Sequence, residues 1–206
     1  MKQDIYSTLP PVAVSRETEA RLARFIPLLL RWNSTINLVA APDASVLRQR
    51  HIEDSLQLLP LVPEGQGPMA DLGTGGGFPG LILAMALDRP MHLVESDRRK
   101  AAFLQTVAGE MNLSHVTVHA ERVDALKLPP IAVLTARALG SLDKMLPWAE
   151  TLLAPDGVAI FPKGRLAEEE LAAATPGWTM AVERFKSSTE PNATILRISG
   201  ICRAGA

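Results

Sequence analysis

A glycine-rich turn between a short apolar segment and an apolar helical run constrains the fold of this chain most strongly. Residues 73–80 hold five glycines in eight positions, and they separate the apolar segment 69–72 from the helical run 81–87. Glycine lets a chain turn sharply and bring its backbone against a ligand with no Cβ in the way, at a cost in chain entropy. The turn therefore predicts a ligand site at the carboxyl end of a strand in an α/β fold.

The sequence beyond the turn alternates between strand-like and helical patterns. Short apolar runs are separated by helical stretches, of which 98–111 is the clearest, and the runs fall at 91–95, 116–119, 131–136 and 157–161. Such alternation predicts a mostly parallel sheet covered by crossover helices. Segments 178–185 and 194–201 contain partly alternating apolar residues, and we expect them to form an antiparallel strand pair at the end of the sheet.

The first third of the chain is predicted to be helical. Apolar residues recur at helical spacing over 15–32, Ser15 suits the N-cap, and Pro27 predicts a kink or a break. A second helical pattern covers 46–59. We expect an N-terminal helical extension over 1–64, followed by a ligand-binding domain over 65–206.

Composition and charge exclude several classes of protein. The 206 residues carry 21 Lys plus Arg against 22 Asp plus Glu, so a histone-like polycation is excluded, whereas a local basic face is not. The lone Cys202 allows neither an internal disulfide nor a CxxC zinc site, and we expect no metal. The longest apolar run, 81–87, is short beside the roughly 20 residues of a membrane span, and the start lacks a signal-peptide pattern. We expect a cytoplasmic protein, a monomer, without a membrane partner.

The identity of the ligand depends on the residues around the turn. Gly75, Gly77 and Gly80 fit the GxGxxG pattern of dinucleotide-binding oxidoreductases, a weak motif, while a P-loop is excluded because no Lys-Ser/Thr pair follows. Glu95 ends the next predicted strand, 20 residues after Gly75, where a carboxylate accepts hydrogen bonds from ribose hydroxyls. Asp71 suits a cationic methionine group better than a pyrophosphate. Together with the antiparallel pair, these features favour S-adenosylmethionine over a dinucleotide.

Several motifs of the chain are similar to those of one known family. Segment 71–80 resembles the cofactor loop of class I methyltransferases, and its GTGxGxPG form resembles the RsmG family of bacterial small-subunit ribosomal RNA guanine-N7 methyltransferases, also called glucose-inhibited division protein B. Further matching segments lie at 31–38, 50–55, 121–124, 136–138 and 163–164, so the resemblance covers roughly 20–200. Glu95 replaces a more usual aspartate, Phe78 stands where many members have leucine, and the final residues match poorly.

The resemblance implies a Rossmann-like class I methyltransferase fold, S-adenosylmethionine as cofactor, and guanine N7 in 16S ribosomal RNA of the small ribosomal subunit as acceptor. N7 carries a free lone pair, so no general base is expected. Arg137 is expected at the reaction centre in a positioning role, pairing with a cofactor carboxylate, an RNA phosphate or guanine O6. The expected cofactor-binding residues are Asp71, Gly73, Thr74, Gly75, Phe78, Glu95, Ser96, Val123, Asp124 and Arg137.

Two further groups of residues are candidates for the RNA cleft. His51, Asp54 and Ser55 share one helix face, and a role in the substrate cleft and a structural role both stay open. The basic residues predicted to meet phosphates, with solvated element ends as the alternative, are Lys163, Arg165, Arg98, Arg99 and Lys100. A methyltransferase for a small molecule or a protein, and a non-catalytic nucleotide sensor, remain alternative functions.

Overall fold

The fold centres on a mixed β-sheet, seen in a computed structural model that describes residues 6–40 and 43–205. In these ranges eight strands lie in the order β1-β7-β8-β6-β5-β2-β3-β4. Strand β8 is antiparallel to β6 and β7, and the other neighbouring strands are parallel. The strands are β1 (Ser7–Thr8), β2 (Met69–Leu72), β3 (Met91–Val94), β4 (Val116–His119), β5 (Ile131–Ala136), β6 (Leu153–Lys163), β7 (Trp178–Lys186) and β8 (Thr194–Arg203). The predicted mostly parallel sheet with its C-terminal antiparallel pair is confirmed, whereas β1 was not predicted.

The strand order creates a crevice at the centre of the sheet. Strand β2 pairs with β3 on one side and with β5 on the other, so the chain direction across the sheet reverses between β2 and β5. All four residues of β2 are buried, as expected for a strand covered on both faces. Ligands of open α/β sheets bind beyond the carboxyl ends of the strands at such a reversal. The segments that leave β2 and β5, residues 73–80 and 137–141, meet at this edge.

The helices differ from the sequence expectation in two places. Helix α1 continues through Pro27, so the predicted break is wrong; the burial of Leu22, Phe25 and Leu29 on one face stabilises both halves of the helix. The predicted helix over 46–59 is divided into short pieces, because its middle adopts the wider π-helical hydrogen bonding. The helices are α1 (Arg16–Asn33), α2 (Ala44–Leu47), a π-helix (Arg48–Glu53), α3 (Asp54–Leu56), α4 (Gly80–Ala86), α5 (Arg98–Glu110), α6 (Leu142–Leu152) and α7 (Ala167–Ala174), with 3-10 turns at Leu59–Leu61, Val123–Ala125 and Thr175–Gly177.

The N-terminal helices pack into the same core as one face of the sheet. The Phe25 ring lies 5.8 Å from Phe78 and 6.3 Å from Phe103, measured between ring centroids. The predicted boundary between an N-terminal extension and a ligand-binding domain at residue 64 stays a prediction. Residues 1–5, 41–42 and 206 of these two predicted parts lie outside the described residues. Within the described ranges, no helix combines the length and the apolar character needed to cross a membrane.

Candidate functional site

The glycine turn is braced from inside by Asp71. This carboxylate is fully buried, and it accepts hydrogen bonds from the Gly80 amide at 2.9 Å and the Thr135 hydroxyl at 2.7 Å. Burial raises the pKa of Asp71 to about 6, although the side chain of Thr74 and the hydrogen bonds from Thr135 and Gly80 oppose the rise. The environment favours a structural role for Asp71, which locks the turn to β5, over the expected contact with a cationic ligand.

The backbone of the turn follows a path that favours glycine. Gly73, Gly75 and Gly77 have φ of +64°, +58° and +95°. A Cβ on Gly73 would lie 2.4 Å from a methyl carbon of Leu139, whereas a Cβ on Gly75 would meet only the Gly73 carbonyl oxygen, at 3.9 Å. Gly75 therefore borders open space, as a glycine that faces a ligand must.

The Glu95 carboxylate and the Thr74 hydroxyl, both near the backbone of the turn, can each accept a further hydrogen bond. Glu95 is buried, and its two carboxylate oxygens accept from the amides of Gly75 at 2.9 Å and Asp97 at 2.8 Å. Each carboxylate oxygen has a second acceptor position, so ribose hydroxyls can still bind there. The hydroxyl of Thr74 is buried and meets the full geometry of a hydrogen bond with no partner among the described residues. It is nevertheless close enough to the Asp71 carboxylate to lower the pKa of that group, so it belongs to the buried contacts of the turn.

A small cavity of about 110 Å³ lies beyond the carboxyl end of β3. The Asp124 carboxylate at its edge accepts a hydrogen bond from the indole N–H of Trp148 at 2.9 Å and faces Arg122 at 3.2 Å; these two partners hold the pKa of Asp124 below its usual value. A carboxylate held in this way can accept from an adenine amino group. The lining residues are Gly73, Val94, Ser96, Glu121, Arg122, Val123, Asp124, Leu139 and Trp148. Sequence reasoning missed Trp148 and Leu139, which carry no motif.

A larger cavity of about 510 Å³ lies at the carboxyl end of β5, and Arg137 is at its wall. The guanidinium donates to the Asp54 carboxylate at 2.9 Å and lies 3.1 Å from His51 Nδ1 and 5.3 Å from the Phe78 ring centroid. The His51 and Phe78 rings are themselves 5.0 Å apart. The structure therefore brings together side chains from the turn, from β5 and from the N-terminal helices. The lining residues are Ala40, Arg50, His51, Asp54, Arg137, Ala138, Gly140, Pro162, Lys163, Gly164, Glu170, Thr189, Glu190 and Ala193.

His51 is neutral in this arrangement. Burial, followed by the positive charge of Arg137, lowers the pKa of His51 to about 4. The ring nitrogen that faces Arg137 can thus accept a hydrogen bond. Ser55, the third residue of the predicted helix face, is fully buried and donates to the His51 carbonyl at 2.6 Å, so its hydroxyl lies inside the helix rather than at the cavity.

The predicted basic residues do not form one surface. Lys163 lines the larger cavity, but its ammonium group contacts the Gly140 carbonyl and the Glu170 carboxylate, both at 2.7 Å, and its side chain is 8% exposed. Arg165 lies outside both cavities, at a separate depression beside Tyr6. Arg98, Arg99 and Lys100 begin α5 and line neither cavity. In the described part of the chain, no cluster of three or more metal-ligating side chains is present.

Comparison with known proteins identifies one family that the sequence matches over most of its length. The family model described as "GidB: rRNA small subunit methyltransferase G" matches residues 18–195. Two curated relatives are named "Ribosomal RNA small subunit methyltransferase G". The one from Granulibacter bethesdensis is 51% identical over 97% of this chain and 94% of its own length. The one from Gluconobacter oxydans is 49% identical over 92% and 97%.

Solved structures of methyltransferases share the fold at low sequence identity. A glycopeptide N-methyltransferase, MtfA, complexed with sinefungin has a TM-score of 0.61 at 10% identity, over 72% of this chain and 93% of its own. An O-methyltransferase from Bacillus cereus in complex with SAH has a TM-score of 0.56 at 18% identity, over 85% and 90%. These likenesses establish the class I methyltransferase fold.

Proposed function

The chain belongs to the rRNA small subunit methyltransferase G family, and from this premise we propose that it transfers a methyl group from S-adenosylmethionine to N7 of a guanine in 16S ribosomal RNA. The observation that carries the proposal is a pair of cavities beside the glycine turn: Gly73 lines the smaller one, and Arg137 at the wall of the larger one lies 5.3 Å from the Phe78 ring centroid. Charged side chains of both signs line each cavity, with Asp124 at the smaller one and Arg137 at the larger one. The two adjoining sites fit a nucleoside cofactor and an acceptor nucleotide.

The residues at the turn fit S-adenosylmethionine. Glu95 would accept hydrogen bonds from the ribose hydroxyls, and Asp124 would accept from the adenine amino group, with Ser96 and Val123 beside them. Gly75 would let the ligand approach the backbone, Gly73 lines the smaller cavity and makes room for Leu139 behind it, and the hydroxyl of Thr74 would add a polar group to the turn. When bound, the cofactor supplies an electrophilic methyl group on a sulfonium, and the protein supplies orientation.

The larger cavity would hold the acceptor guanine. Guanine N7 has a free lone pair and loses no proton before it attacks, so the site needs no general base. Arg137 is already oriented by Asp54 and Phe78, and it would position guanine O6 or the cofactor carboxylate. His51, held neutral, and Asp54 would support Arg137 from the N-terminal helices. Pre-oriented donors of this kind reduce the reorganisation needed at the moment of reaction.

The broader biological setting is part of the same proposal. The acceptor would be the small ribosomal subunit or its RNA. Lys163 lies in the wall of the larger cavity. Away from both cavities, the basic side chains that would meet phosphates of a large RNA are Arg165, Arg98, Arg99 and Lys100. The protein would act in the cytoplasm as a monomer without a membrane partner. The helical segment 1–64 would cover the site, and 65–206 would bind the cofactor.

The test is transfer of labelled methyl from S-adenosylmethionine to small ribosomal subunits and to stripped 16S RNA, both from a strain that lacks this protein. N7-methylguanine is then mapped by chain cleavage. A single labelled guanine is the expected result, and the better of the two substrates identifies the acceptor particle. Cofactor binding without incorporation into either substrate would overturn the proposal and favour a small-molecule or protein acceptor, or a non-catalytic sensor.

A further inference from the structure

A buried glutamine joins the N-terminal helices to the wall of the larger cavity. Gln57 follows α3 and is 4% exposed, although glutamine is mostly an exposed residue. Its side-chain carbonyl accepts from the Ser188 amide at 2.8 Å and the Ser188 hydroxyl at 3.0 Å. Segment 187–193 connects β7 to β8, so Gln57 binds a loop that lies 131 residues away in the chain.

The amide nitrogen of Gln57 completes the connection. It lies 2.8 Å from the Asp54 carboxylate and 3.2 Å from each of the hydroxyls of Ser187 and Thr189. The Thr189 hydroxyl in turn donates to the same Asp54 oxygen at 2.7 Å. A buried side-chain amide costs free energy unless its oxygen and its nitrogen are hydrogen-bonded. Here the oxygen bonds to the loop, and the nitrogen bonds to the loop and to Asp54.

Asp54 extends the network to the reaction centre. One of its carboxylate oxygens accepts from Gln57 and Thr189, and the other accepts from Arg137. Thr189, Glu190 and Ala193 line the larger cavity, whereas Gln57 does not. The glutamine does not line the larger cavity; with Ser188 it lines a separate cavity of about 630 Å³. It nevertheless contacts two groups at the larger cavity: the loop that forms one wall, and the carboxylate that orients Arg137.

We propose that Gln57 is a positioning residue for the acceptor nucleotide: by clamping segment 187–189 to Asp54, it sets the wall against which the RNA lies. The inference rests on the proposed function, because it assigns the larger cavity to the acceptor. The hydrogen bonds of Gln57 go to Asp54 and to segment 187–189, and neither Glu95 nor Asp124, the carboxylates expected to bind the cofactor, is among its partners. Loss of the clamp should thus weaken use of the RNA and leave binding of the cofactor unchanged.

The test compares wild type with Gln57→Leu, which keeps the side-chain size and removes every hydrogen bond that the Gln57 side chain makes, while the direct bond from Thr189 to Asp54 stays available. Gln105→Leu is the matched control, because Gln105 is an exposed glutamine on α5. Three quantities are measured: KM for small subunits, kcat, and affinity for S-adenosylmethionine. We expect about a tenfold rise in KM and a several-fold lower kcat for Gln57→Leu, because Asp54 then orients Arg137 less well, with cofactor affinity within about twofold of wild type. An unchanged KM in a folded, less stable variant would overturn the inference and make Gln57 purely structural.

A second variant and a second readout keep the test decisive. If Gln57→Leu does not fold, Thr189→Val removes one hydroxyl of the clamp from the loop side, and a rise in KM without loss of cofactor affinity is again expected. Hydrogen exchange of amides 187–190 reports the clamp without any RNA, and faster exchange in the variant is expected. If the wild-type protein methylates no RNA, the proposed function fails. Independently of that result, wild-type protection of amides 187–190 in Gln57→Leu would overturn the clamp.

Discussion

Arg137 and Asp54 form an ion pair that joins the end of β5 to the N-terminal helices, with guanidinium Nη1 2.9 Å from carboxylate Oδ2. The two side chains are only 19% and 15% exposed. A charge that is partly withdrawn from water needs its partner, and each residue also has a second role: Arg137 stacks near Phe78, and Asp54 binds Thr189. The pair thus couples the conformation of the site to the packing of the N-terminal segment.

Arg137→Ala is expected to reduce methyl transfer about a hundredfold or more, the usual cost of losing a pre-oriented donor. It should also lower the free energy of unfolding by about 1.5–3 kcal/mol, because a charge-assisted hydrogen bond is lost. Initial transfer rates and urea unfolding measure the two effects. The exposed Arg16→Ala at the start of α1 is the control and should change neither. Wild-type turnover in Arg137→Ala would remove Arg137 from the site.

The Asp54→Ala variant tests whether the two residues act as one unit. If they do, the loss of stability in the double variant is smaller than the sum of the two single losses, because either substitution alone already breaks the pair. Urea unfolding of the four proteins gives this coupling energy. Additive losses would show that the ion pair contributes little.

Gly75→Val is expected to weaken S-adenosylmethionine binding more than tenfold. Valine at φ +58° is strained by about 1–2 kcal/mol, and its side chain would occupy the open space beside the turn. Calorimetric titration measures the affinity. Gly109→Ala in α5 is the control, because an added Cβ there meets no atom within 4 Å, and it should leave cofactor binding unchanged. Wild-type affinity in Gly75→Val would place the ligand elsewhere.

His51→Gln is expected to reduce the loss of stability in acid. The folded pKa of His51 is about 4, below the ordinary value of 6.5, so between these values the unfolded chain binds more protons and stability falls as pH falls. Asp71 acts in the opposite sense. Its pKa in the folded protein is raised to about 6 from 3.8, so between these pH values the folded chain binds more protons, and the free energy of unfolding falls as pH rises. Removing His51 removes its share of the acid destabilisation, whereas His92, whose pKa burial also lowers, keeps its own share in both proteins.

Urea unfolding near pH 7 and near pH 5 checks this prediction. Relative to its own value near pH 7, the variant should lose less stability near pH 5 than wild type does. Equal losses in the two proteins would mean that His51 is protonated in the folded state at about the same pH as in the unfolded chain.

The parts of the structure that sequence predicted well depend on local patterns. The glycine turn, the apolar strand segments and α5 are each specified within a few residues, by glycine conformation, burial on both faces or helical spacing. The π-helix at Arg48–Glu53 and the short strand β1 were not predicted, because tertiary packing decides them. Continuity of α1 through Pro27 depends likewise on the core that buries one helix face.

The candidate site shows the same division. Arg137 and Glu95 were found through strand ends and motif resemblance, but the contact of Arg137 with Asp54 joins residues 83 apart and has no local signal. Gln57 and Trp148 belong to no motif, and only the folded structure shows that each binds a residue at one of the cavities. Residue types at spaced positions identify a chemistry, whereas the second layer of contacts that orients it is set by the fold.

Trp148→Phe is expected to weaken S-adenosylmethionine binding several-fold. The substitution keeps an aromatic ring on α6 but removes the indole N–H that donates to Asp124 at 2.9 Å, so the carboxylate loses the partner that orients it toward the smaller cavity. A hydrogen bond to a charged group contributes about 1.5–3 kcal/mol, and cofactor binding loses only the part of it that orients the carboxylate. Titration with the cofactor measures the change, and the exposed Thr151→Ala on the same helix should not alter it. Unchanged affinity in Trp148→Phe, with Asp124→Ala still impaired, would show that Asp124 binds without orientation by Trp148; unchanged affinity in both would exclude Asp124 from the adenine site.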